Sequence, residues 1–199
     1  MNAAELLDRL ASQLTPMTPL GLRQQTEGDW PLLRDLFVAR RWAEVSAAPG
    51  WSEGQRLAFL HSQAQLQQQH YATQHADAGF LVVEHQRTPI GRLCVQVGEQ
   101  AAHVVDIALL PAWQRQGLGS ALLRAMLAVC DQRQAACTLN VDSFSPARQL
   151  YRRLGFIDDG EQGFAVRMQR LPSLPRNAQA RPNAGGYAPG PATTPLKQP

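Results

Sequence analysis

Residues 104–123 read VVDIALLPAWQRQGLGSALL, and the order of residue types in this stretch decides the fold. A run of apolar and β-branched residues from Val104 to Leu110, interrupted by Asp106, stops at Pro111, as a strand does when the chain loses a backbone donor. After Ala112 and Trp113 comes Gln114-Arg115-Gln116-Gly117-Leu118-Gly119, which leads into a helical pattern from Ser120 to Cys130. The prediction is a strand, a glycine turn and a helix. Glycines without a Cβ let the backbone take unusual dihedrals and come close to a ligand. The unpaired N–H groups of the helix start, together with the helix dipole, favour a phosphate or pyrophosphate above them.

Two well-known phosphate turns are tested by the neighbouring residues. A Walker loop ends in Gly-Lys-Ser/Thr, whereas the one lysine of this chain is Lys197, far from the turn, so that reading is excluded. A dinucleotide turn needs a third glycine, but Leu122 stands there, and the motif lies past mid-chain rather than at the first strand.

A Q/R-x-x-G-x-G turn after such a strand resembles that of the GCN5-related N-acetyltransferase (GNAT) superfamily. A second motif follows at residues 145–156, SPARQLYRRLGF, and is similar to the closing helix of that family with its tyrosine and Leu-Gly-Phe exit. Two motifs in this order and at this spacing are specific. The resemblance covers about residues 20–169. It implies an α/β fold with a mixed, splayed β-sheet flanked by helices, and acetyl-CoA as cosubstrate without a metal. It assigns Gln114, Arg115, Gln116, Gly117, Leu118, Gly119 and Ser120 to the pyrophosphate. The backbone of Ile107, Ala108 and Leu109 would receive the pantetheine arm as an added strand, with Asn140 and Ala147 completing the cofactor site. Tyr151 is implied as the general acid for the leaving thiolate, and Asp106 is the candidate base, with a structural carboxylate as its alternative. Asn140 stands where other members place an acid and cannot act as a base. Phe144 departs from the asparagine often found there, leaving Ser143 or Ser145 as replacement.

Around this centre, periodicity and caps order the chain as β, α, α, β, β, β, α, β, α, β, with a short helix before it. Leu6, Leu7, Leu10 and Leu14 make a helical stripe before a Thr/Pro break, read as an N-terminal appendage over residues 1–19. The acetyltransferase domain spans residues 20–170. Thr26 with Asp29, and Ser52 with Gln55, are capping signals for two helices, the first running to about Arg41 and the second glutamine-rich with Tyr71 on its apolar face. Residues 43–50 read as the loop between them, flanked by Trp42 and Trp51. Two further strands form a hairpin around residues 86–89. The last strand is expected at residues 164–168. Residues 171–199, rich in Pro, Ala and Gly, lack the apolar surface to offset ordering and read as a disordered tail.

Composition narrows the functions. Arg176, Arg181 and Lys197 in the tail account for the net charge of +3, so the folded body is neutral and no nucleic-acid face is expected. No apolar run nears the roughly 18 residues of a membrane span, and no basic and apolar leader opens the chain. A cytoplasmic protein is expected. Cys94, Cys130 and Cys137 fall inside predicted elements as small hydrophobes, and His61, His70, His75, His85 and His103 show no ligand spacing, so no metal is expected. The resemblance to the GNAT superfamily implies acetyl transfer onto a primary amine of a small molecule or peptide N-terminus. A non-catalytic acetyl-CoA-binding adaptor is the alternative, with the N-terminal helix or the tail contacting a second copy or a protein partner. Residues 38–71 carry only two acids, Glu44 and Glu53, which argues for a neutral or mildly acidic acceptor over a polyamine.

Overall fold

The structure, a computed structural model, describes residues 2–14 and 19–173. Of the expected tail, residues 174–199 lie outside the described residues, as do residues 15–18 of the Thr/Pro break. Five helices and seven strands follow in the order α1 (Ala3–Leu14), β1 (Leu20–Gln24), α2 (Trp30–Ser46), α3 (Glu53–Gln74), β2 (Gly79–His85), β3 (Thr88–Val97), β4 (Ala101–Leu109), α4 (Leu118–Gln132), β5 (Ala136–Asp142), α5 (Ala147–Arg153), β6 (Ile157–Gln162) and β7 (Ala165–Arg170). One sheet contains all seven strands in the order β1-β2-β3-β4-β5-β7-β6. Every pairing is antiparallel except β4 with β5, which a helix must connect.

Both expected capping boxes form. Asp29 Oδ2 accepts from the Thr26 backbone N–H at 2.7 Å, and Ser52 N–H donates to Gln55 Oε1 at 2.8 Å. The first helix runs past Arg41 to Ser46, shortening the expected loop, because Trp42 and Val45 continue its apolar face onto the cluster of Phe37, Leu60 and Ala64.

Three further elements depart from the expectation. Helix α1 is no appendage: Leu6, Leu10 and Leu14 are each at most 1% exposed, packed with β1, β2 and α4 in the main core. Burying a leucine stabilises by roughly 2 kcal/mol, so the stripe acts as core and not as a loose contact. Strand β6 was not foreseen, and the last strand sits at Ala165–Arg170 instead of residues 164–168. The sequence of β6, IDDGEQ, is polar because it is the sheet's edge and pairs only with β7, leaving Ile157 64% exposed.

The feature that positions the site is a bulge in β4. Its register against β3 shifts between the pairs Cys94↔Asp106 and Val95↔Val104, leaving Val105 as the extra residue. Ahead of the bulge Ala102 and Val104 face the main core, and after it Ile107 and Leu109 do. Side-chain parity thus flips, and Asp106 turns to the opposite face, beneath α2 and α3. The parallel pairing of β4 with β5 also ends here, at Val104↔Leu139. Beyond it the two strands diverge, and residues 105–109 keep only β3 as a neighbour.

Candidate functional site

The turn expected to bind an anion is built as the sequence implied. Gly117 has φ +82° and caps α4, a conformation that L side chains rarely adopt. Gly119 already lies inside the helix, so its missing Cβ matters for space alone. A Cβ at either glycine would meet no protein atom within 4 Å. The first bond of the helical ladder runs from Ala121 N–H to the Gly117 carbonyl at 3.0 Å, so the N–H groups of Leu118, Gly119 and Ser120 precede it. Gln114 donates through Nε2 to the Leu109 carbonyl at 2.7 Å, and Gln116 to the Ala112 carbonyl at 2.7 Å. These two amides brace the turn, while the Leu118 side chain packs on the core.

From the turn a groove of about 960 Å³ runs along the opened edge of β4. It gathers Ile107, Ala108, Leu109, Gln114, Arg115, Gly117, Gly119, Ser120, Ala147 and Tyr151, so most of the residues implied for the cofactor share one surface. Gln116 and Leu118 do not line it. A second cleft of about 390 Å³ occupies the splay itself, between residues 104–107 of β4 and residues 139–142 of β5, and here Asn140 is found. Groove and cleft share Arg40, Ile107, Ser145, Ala147 and Tyr151. Of the two candidate replacements for the missing asparagine, Ser145 reaches this junction, while Ser143 donates to the Phe164 carbonyl at 3.0 Å. Phe144 points outward at 87% exposed.

Tyr151 is 8% exposed and stands edge-on to Phe156, with ring centroids 5.9 Å apart. Among the described residues its hydroxyl makes no hydrogen bond. Burial, and next the Asp106 carboxylate, push its phenol above the ordinary value, against the opposing pull of Arg40. The phenol therefore keeps its proton.

Asp106 sits in a buried ion-pair cluster. Arg40 of α2 donates through Nη2 to Asp106 Oδ1 at 2.9 Å, and Arg92 of β3 brings Nε to 3.5 Å from Oδ2. The Arg92 guanidinium lies over the Tyr71 ring, 5.0 Å from its centroid. Tyr71 too is raised, by burial first and then by Asp106. The sequence reading gives Tyr71 only a place on the apolar face of its helix and assigns no role to Arg40 or Arg92. The available signal was the one charged residue, an arginine, in a mostly apolar strand, Ile90 to Val97, which has to find a buried partner.

Among the described residues no group of three or more His, Cys, Asp or Glu could hold a metal, and no helix is long and apolar enough to cross a membrane. A parallel strand pair thus opens beside a glycine turn, and a buried tyrosine stands where groove and cleft meet. The profile of the Acetyltransferase (GNAT) family matches residues 39–156, and the chain belongs to this family, whose members use acetyl-CoA. No curated protein matches the chain. Among solved structures it is similar to the PaiA N-acetyltransferase from Thermoplasma acidophilum in complex with coenzyme A, at 18% identity and TM-score 0.56, over 76% of this chain and 98% of that one. It is also similar to the ribosomal-protein-S18-alanine N-acetyltransferase from Escherichia coli, at 20% identity and TM-score 0.53, over 79% and 97%. A GNAT acetyltransferase from Elizabethkingia anophelis with acetyl-CoA bound matches at 17% identity and TM-score 0.51, over 76% and 97%. At these identities the likeness is one of fold.

Proposed function

We propose that this protein transfers the acetyl group of acetyl-CoA to a primary amine, the α-amine of an amino acid or of a peptide N-terminus. The observation that carries the reading is the junction at Tyr151, where the groove beside the glycine turn meets the cleft of the splay. The N–H groups of residues 118–120 would receive the pyrophosphate, and the opened edge of residues 107–109, where Gln114 already holds the Leu109 carbonyl, the pantetheine arm. The thioester supplies an activated acyl group. The rest of the chemistry is positioning, loss of a proton from the amine, and delivery of a proton to sulfur as the C–S bond breaks and the C–N bond forms.

Tyr151 is suited to the last of these tasks. Its phenol is protonated, and its hydroxyl is free of partners among the described residues. Burial keeps that proton on the phenol until a strongly basic thiolate develops beside it. Asp106 is better suited to holding Arg40 and Arg92 than to taking a proton, since both of its oxygens face guanidinium groups. The acceptor ammonium then gives its proton to water, and the neutral amine attacks the thioester carbonyl.

The test is thiol release from acetyl-CoA across a set of amines, paired with mass analysis of each amine. The three cysteines are buried and keep the background low. The reading expects both products in equal amounts, with an acid limb in the pH profile that follows the pKa of each acceptor amine. Tight binding of coenzyme A with no turnover on any amine would replace it by the adaptor reading.

A further inference from the structure

We infer that the acceptor carries a carboxylate close to its reacting amine and that Arg40 binds it; this rests on the acetyl-transfer reading above. Arg40 lines both groove and cleft, so its guanidinium lies where the two substrates must meet. Among the described residues its only hydrogen bond is that from Nη2 to Asp106, and its side chain is 45% exposed. A guanidinium has five donors in a planar fork that matches a carboxylate. Arg40 has thus one arm fixed by Asp106 and the others open to the cleft, a preorganised anion receptor.

The local charge supports the same partner. Asp106 is one carboxylate shared by two guanidiniums, and Arg92 behind it is 3% exposed, its Nε ion-paired at 3.5 Å with Asp106 but, like Nη2, without a hydrogen bond. Tyr71 and Tyr151 are neutral phenols. Around Asp106, two guanidiniums face one carboxylate, so this end of the cleft is locally positive. Asp142, the other carboxylate of the cleft lining, brings the sum of the four charges to zero, and one of its oxygens accepts from the Phe144 N–H at 2.8 Å. A polyamine would meet repulsion at this inner end, an amide carbonyl would gain no charge pairing, and a carboxylate beside the amine gains both pairing and orientation. The local positive charge at Arg40 and Arg92 favours loss of the proton from an acceptor ammonium held beside them.

The experiment compares alanine with alaninamide, and the dipeptide amide Asp-Ala with Ala-Ala, as kcat/KM per unprotonated amine. Wild-type protein should prefer the carboxylate-bearing member of at least one pair. Preference in the first pair identifies a free amino acid, and in the second a peptide beginning with an acidic residue. Arg40→Gln should reduce that preference by roughly 10- to 100-fold, as for a lost hydrogen bond to a charged group, acting mainly through KM. Arg40→Lys, keeping the charge without the fork, should fall between, and it serves if the glutamine variant melts early. Equal use of both members of each pair by the wild type, or an unchanged preference in both variants, overturns the inference while leaving acetyl transfer standing. No turnover on any amine, with coenzyme A still bound, removes the acetyl-transfer reading and the inference with it.

Discussion

Substituting the two glycines of the turn separates binding from folding. Gly119 is a helical residue of α4, and a Cβ there meets no protein atom within 4 Å. Gly119→Val should therefore fold normally, with a melting temperature within a few degrees of wild type, since valine is no worse than glycine in a helix. Its isopropyl group would occupy the space from which the N–H groups of residues 118–120 are reached. Losing two charge-assisted hydrogen bonds at about 1.5 kcal/mol each amounts to about 3 kcal/mol, or at least about 100-fold in the dissociation constant of acetyl-CoA. Gly117 shows the converse. Its φ of +82° would cost an alanine about 1–2 kcal/mol, or about 5 °C in melting temperature, with space around it still open. Calorimetric titration with acetyl-CoA and thermal melts of the two variants measure both effects. Wild-type affinity in Gly119→Val would refute the claim that the ligand lies over this turn, and a fully stable Gly117→Ala would refute the strain argument.

Three further outcomes follow from the same structure. Tyr151→Phe should leave acetyl-CoA binding nearly intact and lower kcat by roughly 10²- to 10⁴-fold; since the raised phenol holds its proton, wild-type kcat should show no loss from this group below about pH 10. Asp29, 6% exposed, accepts from both Arg23 Nη atoms and from Thr26, and the Arg23 guanidinium holds its carboxyl well below the usual range. Asp29→Asn should cost about 2 kcal/mol at pH 7, less than a fully buried pair because Arg23 is 35% exposed. A depressed folded-state pKa gives stability that is present above the unfolded value near 4 and lost as pH falls, so the gap in denaturation midpoint should shrink between about pH 4 and pH 2. Leu10→Ala, at a side chain 0% exposed, should lower stability in urea by about 2–5 kcal/mol, whereas a loosely attached helix would lose almost nothing.

The turn, the closing helix and both capping boxes were legible because each depends on residues close together in the chain. Gly117, Ser52 with Gln55, and Thr26 with Asp29 act locally, and their chemistry is visible in the letters. What was not legible depends on pairing at a distance. The bulge at Val105 left only a faint mark, two adjacent apolar residues, Val104 and Val105, breaking the alternation before Asp106. Without it Asp106 would face α4, and no sequence rule joins it to Arg40, 66 residues away. The stripe on α1 was visible, but its partner surface on β1, β2 and α4 is assembled by the fold. Strand β6 was hidden because an exposed edge strand needs no apolar alternation.

Hydrogen exchange of backbone amides, with and without coenzyme A, tests the placement of the cofactor most directly. The account predicts slowed exchange confined to residues 105–109 of the opened strand and residues 117–121 of the turn. Protection on other elements with these segments unchanged would contradict it.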